Sequence, residues 1–420
     1  MRLYVESYGC ALNRGEVESA LRSLGGAVTV VDAAEAADLL LLSTCVVIHH
    51  TELRMRKRLE VLRGLGKPLI VTGCFVPVFP QETEGGGGIV AVAPGDPGAL
   101  AESLRKSLTP GTEAEPPSLP RSCAAIVPIA TGCSGGCTYC ITRRARGTHR
   151  SRLVSEISGE VKRLVKEGYR EIDLASQDSA LYGAEIGASL SDLIAALGAF
   201  EGGYMLRIGM MNPGTARPLL PQLLEIFQHP RVFRFLHLPI QSGSDAVLEM
   251  MGRGYTIAMA REVAETLRKA HPDLTLSTDV IVGFPGETEE DHRATMDALR
   301  ALSPDIVNVT RFSPRPGTPA WHLKQLPGWV VKRRSRETTE LRNILARRRN
   351  ESCIGQVVEC LVTEQGKIGT MIARTQGYKQ VILKGRVTLG AWQRVRVTDA
   401  TAIDLRGKIL PDVERLHERG

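Results

Sequence analysis

Residues 1 to about 108 alternate between short apolar runs and longer stretches with helical spacing. "MRLYVESYG", "ADLLLLSTC" and "KPLIVTGC" have the length and composition of strands, and "NRGEVESALRSLG" and "TELRMRKRLEVLRGL" between them read as helices. This strand–helix–strand–helix–strand order predicts a parallel sheet with helices on its faces. A cysteine stands at the C-terminal end of each strand: Cys10, Cys45 and Cys74. In open parallel sheets that edge is where ligands bind.

The alternation then breaks. "TPGTEAEPPSLP", residues 109–120, is proline-rich and aperiodic and reads as a linker; "EGGGG" at 84–88 reads as a loop. From 121 to about 350 a second alternation follows, with strands expected in "AAIVPIATG", "REIDLAS", "YMLRIGM", "RFLHLPI", "LTLSTDVIVG" and "DIVNVTRF". Six β/α units predict a full or partial β/α barrel. In "SEISGEVKRLVKEG" the apolar residues Ile157, Val161, Leu164 and Val165 share one helix face. Residues 331–349, "VKRRSRETTELRNILARRR", form a basic helix that ends this part. Residues 351–412 change character, to short β-rich runs with glycine turns, and predict a small antiparallel OB-like β-barrel. The expected fold class is therefore α/β throughout residues 1–350, with an all-β domain at the end.

Composition narrows the setting. A chain of 420 residues is too long for one ordinary core. The longest apolar run, near "ADLLLLSTCVVI", is far too short for a bilayer span. The N-terminus lacks a charged region followed by an apolar stretch, so a cytoplasmic protein is expected. Nine cysteines in such a setting are expected to be reduced. The net charge of +7 says little by itself, because where the charge sits matters more.

The densest chemistry lies in "TGCSGGCTYCITRRARG", residues 131–147. Cys133, Cys137 and Cys140 offer three thiolates from one loop after a strand. Zinc would call for a fourth ligand, with Cys123 and His149 as candidates. An iron–sulfur cube also takes thiolates, and three of them leave one iron open to a substrate or cofactor. Gly132, Gly135 and Gly136 let the backbone wrap tightly, and Tyr139 sets an aromatic ring alongside.

The spacing C-x3-C-x-aromatic-C resembles the signature of the radical S-adenosylmethionine (SAM) superfamily. The resemblance implies a 4Fe–4S cluster whose open iron holds SAM. One-electron cleavage of SAM would then yield a radical able to take hydrogen from an unactivated C–H bond. "ESYGCALN", "STCVVIHHTELRMRKRL" and "VTGCFVP" resemble the N-terminal domain of the methylthiotransferases, and imply a second 4Fe–4S cluster on Cys10, Cys45 and Cys74. "LASQD", "RIGMMNP", "LHLPIQSGSD", "TDVIVGFPGETEED" and "FSPRPGTPA" match the same family, whose terminal β-barrel is called TRAM. Ser43, where the family commonly has Asn, and Ala180-Leu181 depart from its pattern.

Within that family "GCSGGCTYCITRRARGTHRSR" and "LPGWVVKRRSRETTELR" are similar to the branch acting on N6-threonylcarbamoyladenosine at position 37 of tRNA. The implied partner is a tRNA anticodon loop, not DNA or a membrane, together with an electron donor and a sulfur source. SAM contacts are expected from Tyr139, Gln177, Arg207, Gln241, Ser242 and Gly283. RNA contacts are expected from Arg143, Arg144, Arg146, Lys332, Arg333, Arg334 and Arg336. The alternatives are a methylthiotransferase for isopentenyladenosine or a ribosomal protein, and a non-catalytic cluster protein that binds RNA.

Overall fold

The computed structural model describes residues 1–83, 88–107 and 122–411. The expected linker at 109–120 and most of the glycine loop at 84–88 lie outside the described residues.

The first domain is a five-stranded parallel sheet of β1 (Arg2–Ser7), β2 (Thr29–Val31), β3 (Leu39–Thr44), β4 (Leu69–Gly73) and β5 (Ile89–Val92), in the order β2-β1-β3-β4-β5. Strand β3 is buried along its whole length because helices cover both faces. Leu39 and Leu41 pack with Val17, Ala20 and Leu100, whereas Leu40 and Leu42 pack with Met55, Leu59 and Leu62. Full burial of each such leucine is worth about 1.5–3 kcal/mol. The sheet has two strands more than the three expected. Both are short edge strands, β2 largely exposed and β5 only partly covered, so they carry little apolar pattern.

All six strands expected in the second part form: β6 (Ala124–Pro128), β9 (Glu171–Ala175), β10 (Met205–Ile208), β11 (Phe235–His237), β12 (Thr275–Val282) and β13 (Ile306–Arg311). The run "AAIVPIATG" splits after Pro128, and its end, β7 (Ala130–Thr131), pairs with β8 (Arg150–Ser151). The long strands run parallel as β6-β9-β10 and β11-β12-β13, joined by a bridge between Leu206 and Val232. Among the described residues no ladder joins β6 to β13, so the barrel is partial. Helix Ala11–Ser23 of the first domain lies against β6, with Leu12 packed on Ile126 and Ala175.

The basic helix runs Gly328–Glu351. It docks a face of Arg334, Thr338, Leu341 and Leu345, at helical spacing, against β13 and helix Glu289–Leu302. The last domain is a closed barrel of β14 (Val357–Gln365), β15 (Thr370–Thr375), β16 (Gln380–Lys384), β17 (Trp392–Ala400) and β18 (Leu405–Ile409). It is not wholly antiparallel, since β16 and β18 pair in parallel. Tyr378 projects from it onto Phe233 and Phe235 at the N-terminal end of the partial barrel.

Candidate active site on two cysteine-bearing sheet edges

Strands β1, β3 and β4 are neighbours in the first sheet, so the cysteines that follow them meet at one edge. Cys10 caps helix Ala11–Ser23, and Cys45 and Cys74 directly follow their strands. Gly73 has φ +93°, and a Cβ there would lie 2.5 Å from the Thr44 carbonyl oxygen, so only glycine lets β4 turn beside β3. Asn13, 1% exposed, ties the three segments together. It sits one helical turn after Cys10, donates to the Thr44 carbonyl at 2.7 Å, and has its Oδ1 3.8 Å from Cys74 Sγ. Burial pushes the Cys45 thiol up and the Cys74 thiol up to about 11, with Arg146 pulling Cys74 the other way. Ser43 Oγ, where the family commonly has Asn, is buried and without a partner among the described residues.

The second trio follows the C-terminal end of β6. A Cβ on Gly135 would lie 3.3 Å from Cys133 Sγ and 3.7 Å from Cys137 Sγ, so glycine keeps the space between these two thiols open. Burial raises the Cys133 and Cys140 thiols, which must lose their protons to bind iron. Arg253 Nη1 donates to Cys137 Sγ at 3.1 Å, and its guanidinium stacks over Tyr255. Among the described residues no three Cys, His, Asp or Glu side chains gather as a single ion requires. Thiolates on separate corners of a cube stand farther apart than thiolates on one ion. Cys123 belongs elsewhere, with its Sγ 3.4 Å from the Val362 carbonyl of the terminal barrel. His149 meets Ser151 at 3.1 Å. Both trios offer thiols, the donor type that iron–sulfur clusters take.

Tyr139 lies in the loop of the second trio, and Gln177, Gln241 and Gly283 follow the C-terminal ends of β9, β11 and β12. Tyr139 packs edge-on against Phe284, the neighbour of Gly283, with ring centroids 6.3 Å apart. Gln177 has a buried Oε1 without a partner among the described residues, at the end of β9. Gln241 has φ +62°, a left-handed conformation rare outside glycine, on the bridge to Val280. Gly283 has φ +78°, and a Cβ there would lie 2.7 Å from Val331 Cγ2.

Two cofactor expectations are corrected. Ser242 is fully buried and hydrogen-bonded to Thr295 at 3.2 Å, which fixes helix Glu289–Leu302 to the barrel. Arg207 points into the barrel interior, 3.0 Å from Asp173 and stacked on Phe235 and on Tyr378 of the terminal barrel. Two RNA expectations are corrected as well. Arg146 is buried on Glu16, at 2.6 and 3.0 Å, and Arg334 is buried on Glu287 at 2.7 Å. Arg143, Arg144, Lys332, Arg333 and Arg336 are exposed, Arg333 pairing with Glu289 at 2.6 Å. Asn13, Glu16, Arg253 and Arg315 escaped sequence reading. Only Asn13 left a signal, its one-turn spacing from Cys10.

This arrangement, a partial β/α barrel with three thiols on the loop after its first strand, defines a radical SAM protein. The Radical SAM superfamily matches residues 127–299, the Uncharacterized protein family UPF0004 residues 2–92, and the TRAM domain residues 351–410. A probable threonylcarbamoyladenosine tRNA methylthiotransferase of Pyrococcus abyssi is 40% identical over 98% of this chain and 100% of its own length. The threonylcarbamoyladenosine tRNA methylthiotransferase of Drosophila melanogaster is 33% identical over 98% of this chain and 78% of its own. The fold is shared with the solved radical S-adenosylmethionine methyltransferase TsrM of Kitasatospora setae, at TM-score 0.56 and 15% identity over 76% of this chain and 75% of that one. The chain belongs to the threonylcarbamoyladenosine tRNA methylthiotransferase family.

Proposed function

We propose that this protein adds a methylthio group to C2 of N6-threonylcarbamoyladenosine at position 37 of tRNA. The observation that carries this reading is the pair of cysteine trios, on adjoining sheet edges of one chain whose relatives of that name match it from end to end. Cys133, Cys137 and Cys140 would hold the SAM-binding 4Fe–4S cluster, and Cys10, Cys45 and Cys74 a second one. When bound, SAM and the clusters supply the one-electron chemistry that removes the C2 hydrogen and the sulfur that replaces it. An external electron donor and a sulfur source complete the reaction.

The chain's own residues bind, orient and enclose. Gln177 and Gln241, after β9 and β11, and the Tyr139–Phe284 pair would contact SAM bound at Cys133, Cys137 and Cys140, and Arg253 donates a hydrogen bond to the Cys137 sulfur. Anticodon-loop bases are unpaired, so one can be splayed into a pocket without opening a duplex. Exposed Arg143, Arg144, Lys332 and Arg336 offer charge for the phosphates. Trp321 and Trp329, 42% and 70% exposed, offer faces for bases to stack on. Among the described residues no helix is long and apolar enough to cross a membrane, and the reading places the protein in the cytoplasm.

The test is nucleoside mass spectrometry of tRNA from cells with and without the gene. Loss of methylthio-threonylcarbamoyladenosine on deletion supports the reading. Unchanged tRNA nucleosides would overturn it and turn the search to ribosomal proteins.

A further inference from the structure

The two trios belong to different domains, and the segment after Cys140 enters the domain that carries Cys10, Cys45 and Cys74. Ile141 and Ala145, flanking the start and end of helix Thr142–Arg146, sit in the same core as Phe75, Val76 and Val78. Arg146 goes deeper. Its side chain is 1% exposed, grips Glu16 with two nitrogens, meets Thr131 at 3.1 Å and donates to Asn13 Oδ1, the atom that also faces Cys74 Sγ.

Arg315 repeats the arrangement from the other end of the barrel domain. It is 2% exposed and pairs with Glu52 of the first domain. Its Nε and Nη1 are buried without partners among the described residues. Glu52 also receives Arg56 at 3.0 Å, and Arg56 in turn pairs with Glu82, so two guanidiniums share two carboxylates. Arg146 is tied to the trio by contact, through Asn13 Oδ1, which faces Cys74 Sγ. Ion pairs buried at this depth carry a desolvation penalty that stability alone does not explain.

We propose that Arg146, carried by the barrel domain and paired with Glu16 of the first domain, sets the reduction potential of the cluster held by Cys10, Cys45 and Cys74. Reduction adds negative charge to a cluster. A fixed cation in a low-dielectric interior favours that form, and hydrogen bonds around the ligand sulfurs act in the same sense. Arg146 is a positioning residue, since it acts through Asn13. The arrangement also gives the SAM-binding loop a direct mechanical hold on the second site. The proposal rests on the assignment of a cluster to this trio.

The experiment is anaerobic potentiometry followed by electron paramagnetic resonance, on full-length C133A/C137A/C140A protein reconstituted with iron and sulfide, so that only the second cluster gives a signal. Added to that background, R146Q should shift the potential downward, and R146K, which keeps the charge, should restore it. E16Q, which removes the counter-charge, should shift it upward. Circular dichroism confirms folding of each variant. If R146Q does not fold, the E16Q shift decides. Potentials unmoved in both R146Q and E16Q, with the cluster present, would overturn the proposal and leave the cluster assignment intact. Background protein that binds no cluster would overturn the assignment, and the proposal with it.

Discussion

Arg334 Nη1 lies 2.7 Å from the Glu287 carboxylate, with both side chains buried, while Lys332 and Arg336 on either side of it are exposed. A single basic run therefore divides into one residue that holds the helix down and three, Arg333 among them, that are exposed. The K332A/R336A double variant should weaken tRNA binding and flatten its salt dependence. Two lost phosphate contacts on a single strand reduce the slope of log K against log salt by about 1.4. Fluorescence anisotropy with an anticodon stem-loop measures it, and identical binding at all salt concentrations would remove this helix from the interface. Arg334→Ala should instead lower stability by about 3–5 kcal/mol, by leaving Glu287 buried and unpaired.

Trp321 follows Ala320, whose backbone N–H donates to the Thr138 carbonyl at 2.9 Å, so an exposed indole sits at the margin of the cysteine loop. If it stacks on an anticodon-loop base, Trp321→Ala removes about 1–3 kcal/mol of binding, or roughly 5- to 150-fold in Kd. Trp321→Phe should retain most of it. Equal affinity of wild type and W321A for the stem-loop would exclude the contact.

The two trios should separate in their chemistry. Cys137→Ala should abolish production of 5′-deoxyadenosine. Cys45→Ala should leave SAM cleavage intact and eliminate methylthiolation. Chromatography of the nucleoside products reads both. Full methylthiolation by C45A would refute the role given to the first domain.

Where the terminal barrel meets the partial barrel, Tyr378 donates to Glu171. Burial, and then repulsion from Asp173, push the Glu171 carboxyl up to about 7. Its ordinary value of 4.5 applies in the unfolded chain. Below that pH both states are protonated and there is no penalty. Between 4.5 and about 7 the unfolded chain ionises first, so this group's contribution to stability is lost as pH rises through that window. Glu171→Gln should therefore raise Tm at pH 8, by about 2–4 °C for each kcal/mol relieved in a domain of 150–250 residues. The gain should shrink to nothing as pH falls toward 4.5. Calorimetric melts across pH measure the difference, and a constant offset would rule out the titration.

Much of the fold was legible in particular runs. The four leucines of β3 and the six apolar runs of the second part announced strands because burial demands a dense apolar signal. The edge strands Thr29–Val31 and Ile89–Val92 went unread for the converse reason, being short and only partly covered. The grouping of Cys10, Cys45 and Cys74 could be anticipated because each closes a strand, and their meeting required only that β1, β3 and β4 be neighbours.

The sequence by itself determined the element types, the order of the domains and the two sets of thiols, because periodicity and ligand chemistry are local properties. Only the tertiary structure decided which arginines face solvent and which lie inside. Arg146 meets Glu16 across 130 residues and Arg315 meets Glu52 across 263. A guanidinium in a basic run looks the same whether it is solvated or buried on an acid. The difference lies in the distant carboxylate that folding brings to it, and no local pattern carries that distance.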